Sequence, residues 1–214
     1  MVALSRVSEA YDLTFPVAPG KGNRIAMRDD GPSKRSATIK LDVSTVLSFF
    51  ALVNPDPSSG TLRIFNGAGG SDCVAYSLPT TRWTGGAAGR PVKFRYSDRL
   101  ASDTPVRSAS VNGNRSAFKL KVAPTEPIDY SLDEPAQTSV VVTFTATFGK
   151  LCSASLDNAC QSDADCGGAP GSCQPSTAET CATFVAPSKD VPGKFVSREV
   201  ASGSSCPVPP AGCP

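Results

Sequence analysis

Val140-Val-Val-Thr-Phe-Thr-Ala-Thr-Phe148 decides the fold class: Val140, Val142, Phe144, Ala146 and Phe148 alternate with Val141, Thr143, Thr145 and Thr147. A period of two sends successive side chains to opposite faces of an extended chain, one toward a core and one toward water. The same period runs through Ile39, Leu41 and Val43, through Val92, Phe94 and Tyr96, and through Phe118, Leu120 and Val122. Residues 61–65 and 73–78 read as two further strands. Turn chemistry separates these runs at 54–60, at 67–70 and at Asn112-Gly113-Asn114, the last a hairpin signal. The apolar stretch 44–53 suits a buried strand or two helical turns, and its valines and aromatics favour the strand. At least seven strands predict an all-β fold, an antiparallel two-sheet β-sandwich with a disulfide-rich C-terminal insertion.

Composition agrees. Eighteen glycines and nineteen prolines in 214 residues leave little room for long helices, while 40 % apolar residues suffice for a sizeable core. A net charge of +2 does not by itself announce a nucleic-acid binder. No apolar stretch approaches the roughly 18 residues of a membrane-spanning helix, so no membrane span is expected. The first ten residues lack a basic region followed by an apolar one, and no signal peptide is read there.

Seven of the eight cysteines fall in the last third of the chain, at Cys152, Cys160, Cys166, Cys173, Cys181, Cys206 and Cys213, with Cys73 apart. Their even number and loose spacings predict disulfides formed in an oxidising compartment, hence an extracellular or cell-surface protein. Expected local pairs are Cys206 with Cys213 or with Cys181, and Cys160, Cys166 and Cys173 with neighbours. Cys73 is expected to tie the body to the C-terminal region. The chain divides accordingly: an N-terminal strand and linker (1–23), the sandwich body (24–152), a cysteine-rich loop insertion (153–180) with almost no core-forming residue, and final strands with a Pro/Cys tail (181–214).

Five fragments occur in order: Gly60-Thr-Leu-Arg-Ile-Phe-Asn66, Tyr76-Ser-Leu-Pro-Thr-Thr-Arg-Trp83, Phe94-Arg-Tyr-Ser-Asp98, Tyr130-Ser-Leu-Asp-Glu-Pro-Ala-Gln137, and Lys194-Phe195 followed by Ser205-Cys206-Pro207. Together they resemble a recurrent, uncharacterised module of predicted secreted bacterial proteins. The resemblance implies a β-rich extracellular module and brings no catalytic residues with it.

Chemistry is sparse. The chain has no histidine, so Ser–His–Asp and Cys–His nucleophiles are impossible. The acid pairs Asp29/Asp30 and Asp133/Glu134 fit turns better than sugar hydrolysis. Cysteine spacings do not match zinc knuckles. No cofactor is expected except, as a candidate, calcium at Asp157, Asp163 and Asp165, weighed against the same acids capping turns. Trp83 with Tyr76 or Tyr96 is a candidate glycan-stacking platform, weighed against a core anchor. Tyr11, Leu13 and Phe15 form a short alternating strand, either the first strand of its own sandwich or a strand exchanged between subunits. The outward strand positions Lys40, Arg63, Lys93, Arg95, Lys119 and Lys121 are basic against the lone acid Asp42. Gathered on one sheet they would meet an anionic polysaccharide or extracellular DNA; the competing and favoured reading is that they blunt exposed strand edges against unwanted pairing.

These features predict a non-enzymatic extracellular structural or surface protein, a self-assembling subunit or adhesive module. The rival is a carbohydrate-binding module of a secreted protein. Expected partners are further copies of itself and an anionic polysaccharide or glycan, with nucleic acid disfavoured.

Overall fold

The computed structural model describes residues 11–30, 35–42, 57–69, 72–85, 93–100, 103–112, 117–122, 130, 132, 137–153 and 155–213. Fifteen strands lie in them. The first eight are β1 (Tyr11–Pro16), β2 (Arg24–Arg28), β3 (Ser36–Asp42), β4 (Pro57–Asn66), β5 (Cys73–Pro79), β6 (Trp83–Gly85), β7 (Lys93–Ser97) and β8 (Val106–Asn112). Then come β9 (Ala117–Val122), β10 (Val140–Cys152), β11 (Ser155–Cys160), β12 (Cys173–Val185), β13 (Lys189–Val191), β14 (Lys194–Ser197) and β15 (Glu199–Val200). The predicted all-β class holds, and the described helical segments are two short 3-10 turns at Thr80–Arg82 and Asp163–Cys166. Among the described residues no helix is long and apolar enough to cross a membrane.

The strands form two sheets. One has seven, on the path β1-β12-β10-β4-β5 with β11 beside β10 and β15 beside β12; the other has eight, ordered β13-β14-β2-β3-β9-β8-β7-β6. Their ladders are antiparallel, apart from β1, which lies parallel to β12. One apolar cluster draws on both sheets, taking Ile25, Ile39 and Leu41 from the eight-stranded sheet and Leu62, Val142 and Phe144 from the seven-stranded one. A polar brace adds to it. Asp190 on β13 accepts the backbone N–H groups of Gln137 (3.1 Å) and Thr138 (3.0 Å), just ahead of β10. The Gln137 amide oxygen in turn accepts the Tyr130 hydroxyl at 2.8 Å.

The alternation that predicts β10 holds for its core face, where Val140, Val142, Phe144 and Ala146 are buried. Its other face differs from expectation, because Val141 and Thr143 are also fully buried. The C-terminal tail accounts for this. Cys181 lies opposite Thr143, and Cys73 opposite Phe65, which in turn lies opposite Val141. Disulfides Cys181–Cys206 and Cys73–Cys213 therefore fasten the tail to β12 on one side and to β5 on the other. Between those strands lie β10 and β4. Crossing three inter-strand gaps takes about 14 Å, and the seven residues after Cys206, extended by prolines, reach about 22 Å.

Two sequence expectations change. Residues 57–60, read as a turn, open β4. Gly60 belongs there because a Cβ would come within 3.1 Å of the Phe144 ring. Residues 173–180, read as part of a loop insertion, form the first half of β12, paired along β10 down to Cys173 opposite Cys152. Ladder hydrogen bonds and cross-links order this segment in place of apolar side chains. The hairpin predicted at Asn112-Gly113-Asn114 is present, with Asn112 opposite Ala117, although its tip lies outside the described residues. So do the stretch 44–53 and the pair Asp133/Glu134.

Among the described residues the Thr143 side chain has no hydrogen-bond partner for its Oγ1, a loss of about 1–3 kcal/mol for a buried polar group. Thr143→Val keeps the shape and removes that atom. Urea denaturation should find the variant more stable by about 1 kcal/mol; a loss of similar size would mean that this face is wet.

Candidate polyanion interface

The basic residues singled out by alternation converge on the eight-stranded sheet, with one exception. Register sets Arg24 opposite Lys40, Lys40 opposite Lys119, Lys119 opposite Ser110, Ser110 opposite Arg95 and Arg95 opposite Thr84. Their strand neighbours Ile25, Ile39, Leu41, Phe94 and Tyr96 are buried, so the alternate positions of β2, β3 and β7 point outward. Arg24 and Arg95 are exposed and Lys40 is partly exposed. None of these three forms an ion pair with another described residue; the ion pairs found there join Arg35 to Asp29 and Arg82 to Asp103. Arg63 is the exception. It sits on β4 opposite Thr143, in the other sheet.

Edge protection does not account for this row. Lysines blunt unpaired strand edges, yet β3 and β9 lie inside the eight-stranded sheet with neighbours on both sides. Like charges directly opposed across a ladder are destabilising, and here three follow one another on β2, β3 and β9. The arrangement makes sense as a concentrated positive field facing solvent. Arg24 and Arg28 on β2, and Lys194 opposite Arg28 on β14, belong to the same sheet and were missed in the sequence reading. Their signal was available, since Arg24-Ile-Ala-Met-Arg28 has basic ends around a period-two pair of apolar residues.

The glycan-stacking platform is not formed. Tyr76 and Tyr96 are buried at 5 % and 0 % exposure, and Trp83 packs partly buried against the same cluster. Trp83 meets Tyr96 edge-on at 5.5 Å and Phe144 at 6.2 Å, and its indole N–H donates to the Leu78 carbonyl at 3.3 Å. Burial, with Asp98 and Asp103 nearby, pushes the Tyr96 phenol up to about 12. These rings anchor the core and leave no flat aromatic face for a sugar.

All eight cysteines are paired: Cys73–Cys213, Cys152–Cys166, Cys160–Cys173 and Cys181–Cys206. Of the two partners expected for Cys206, Cys181 is the one found. The sulfurs of Cys152, Cys160 and Cys166 lie within 4.8 Å of one another because two disulfides stack side by side at the end of the β10–β12 hairpin. Asp163 and Asp165 serve the turn between them. The Asp163 carboxylate accepts the N–H groups of Cys173 (2.8 Å) and Gly171 (2.9 Å), and Asp165 accepts those of Gln161 (2.8 Å) and Ser162 (2.9 Å). The two acids thus cap separate stretches of backbone, as the turn-capping alternative predicts. The Asp157 side chain lies outside the described residues.

The N-terminal strand has an intramolecular seat. From Tyr11 opposite Ser176 to Pro16 opposite Cys181, β1 runs along β12, and the Val17 N–H extends the ladder to the Cys181 carbonyl at 2.8 Å. Asn23 pins the following linker, donating to the Ala18 carbonyl (2.9 Å) and accepting the Asp42 N–H (2.7 Å). The side chains of Tyr11, Leu13 and Phe15 are outside the described residues.

Hydrogen bonds from Cys173 and Gly171 hold the Asp163 carboxyl below the usual aspartate value, and those from Gln161 and Ser162 do the same for Asp165. A lowered folded-state value stabilises the turn above the unfolded pKa of about 3.9. That stabilisation disappears as pH falls through the folded value. Protection of the Gly171 and Cys173 amides, relative to their intrinsic exchange rates at each pH, should therefore fall in acid, and Asp163→Asn should show the low protection at neutral pH; unchanged protection in the variant would refute the cap. The chain matches no protein-family model, no curated protein and no solved structure.

Proposed function

We propose that this protein is a non-enzymatic extracellular surface module that holds an anionic polysaccharide on the outer face of its eight-stranded sheet. The observation that carries this reading is the register row Arg24–Lys40–Lys119, three basic residues directly opposed on adjacent strands. In the proposed architecture the two sheets stack as a sandwich around their shared cluster. That arrangement turns the basic face outward and the cross-linked tail away from it. Secretion is supported by the four disulfides. A non-catalytic role is supported by the lack of histidine and by the pairing of every cysteine, which leave no base-activated nucleophile of the usual kinds.

Polygalacturonate coupled to a sensor surface tests this, with neutral dextran as control. The protein should bind the acidic polymer alone, and log affinity should fall linearly with log salt as counterions are displaced. Lys40→Glu combined with Arg95→Glu should weaken binding by more than about tenfold. Equal binding to dextran, or binding indifferent to salt, would end the proposal.

A second reading, self-association by strand exchange, is favoured by one feature. β1 occupies a sheet edge in a parallel pairing, the weaker of the two ladder types. Removing residues 1–16 would vacate that edge. Size-exclusion chromatography should then show a mixture of truncated and full-length chains forming a heterodimer; two independent monomer peaks would dispose of exchange.

A further inference from the structure

We infer that the ligand is a linear polysaccharide bearing a carboxylate on every sugar, laid across the strands with about one acidic sugar per strand. This rests on the polyanion reading above and adds direction, repeat and length to it. Neighbouring strands stand about 4.8 Å apart, close to the length of one pyranose ring in an extended chain. Along the row, register aligns Arg24 on β2, Lys40 on β3 and Lys119 on β9 in unbroken succession, followed by the hydroxyl residue Ser110 on β8 and Arg95 on β7. A uronate-type chain would meet a basic residue at its first three sugars, a neutral hydrogen-bonding position at the fourth and a basic residue at the fifth.

The perpendicular direction fits poorly. Along β3 the same face reads Thr38, Lys40, Asp42, so a polyanion following that strand would meet a carboxylate two residues from Lys40. The row beside it, through Asp42, Ala117, Asn112 and Lys93, carries that acid at one end and its only basic residue at the other. Asp42 thus acts as a fence that keeps an anionic chain on the Lys40 row. A single-stranded nucleic acid is less well matched, because its bases require aromatic platforms. The outward positions named here supply none, and the described rings of β6 and β7 are packed inward.

Calorimetry with oligogalacturonates of two to eight sugars tests the path. Affinity should climb with each sugar up to five and then level off, once the span from Arg24 to Arg95 is filled. Lys40→Glu should weaken the trimer and the pentamer alike, by about tenfold or more. Arg95→Glu should weaken the pentamer and spare the trimer, which sits on Arg24, Lys40 and Lys119. Lys40→Gln, with circular dichroism of each variant, guards against loss of fold. If affinity keeps rising to eight sugars, or Arg95→Glu weakens trimer and pentamer equally, the path is wrong while polyanion binding survives. If single-stranded DNA of equal charge binds as tightly as the octamer, the ligand class is nucleic acid. If no acidic polymer binds, both readings fall together.

Discussion

Covalent attachment of the C-terminal tail across the back of the seven-stranded sheet is the constraint on which the rest depends. An antiparallel sheet ordinarily buries one face and wets the other. Here Cys181–Cys206 and Cys73–Cys213 anchor a proline-rich segment over β10 and β4, and Phe65, Val141 and Thr143 become buried as well. With both faces sealed, β10 becomes the double-sided centre of its sheet, and β12 and β4 take their register from it. The eight-stranded sheet is then free to keep Arg24, Lys40 and Arg95 at its surface.

The two sheets divide their work by charge as well as by covering. On the seven-stranded sheet cross-links replace the second apolar layer that a small domain would otherwise need. On the eight-stranded sheet the outer positions of β2, β3 and β7 are Thr, Ser, Ala, Lys and Arg with the single acid Asp42, and no large apolar side chain lies there among the described residues. Directly opposed cations cost stability, and interior strands need no guard against edge pairing. A row of this kind is thus difficult to explain by folding alone. The acids that are buried or capped, such as Asp29 beside Arg35 at 2.8 Å, lie off the row and do not neutralise it.

Much of the fold was legible in the sequence because alternation is a local signal. β3, β4, β5, β7, β9 and β10 all follow from alternation within runs of five to nine residues. The outer burial of Thr143 was not legible, since it depends on cysteines 38 and 63 residues away, Cys181 and Cys206. β12 was half missed because Cys173–Thr180 lacks apolar residues and owes its order to β10. β2, β6 and β8 were missed for a related reason, and β13 to β15 were read only collectively, as final strands within 181–214. Their sequences are too brief or too mixed to stand out until a neighbour fixes their register. For the candidate site, the sign of the outward residues was legible and their alignment was not. A row across five strands joins residues from 24 to 119, and only pairing brings Arg24, Lys40 and Lys119 side by side. The aromatic candidates failed for the opposite reason: Trp83, Tyr76 and Tyr96 carry the same letters whether they face a ligand or a core.

The bond between Cys73 and Cys213 has a topological consequence. With a sequence separation of 140 it closes most of the polypeptide into a ring. A protease that severs one peptide bond anywhere inside that ring releases nothing, because the two ends stay joined through sulfur. Nicks in the stretch from Cys160 to Cys173 are held by a second, smaller loop as well. In an environment rich in hydrolases, the part of the chain inside that ring sheds a fragment only after two separate cuts or after reduction, so its survival is written into its connectivity as well as its folding energy.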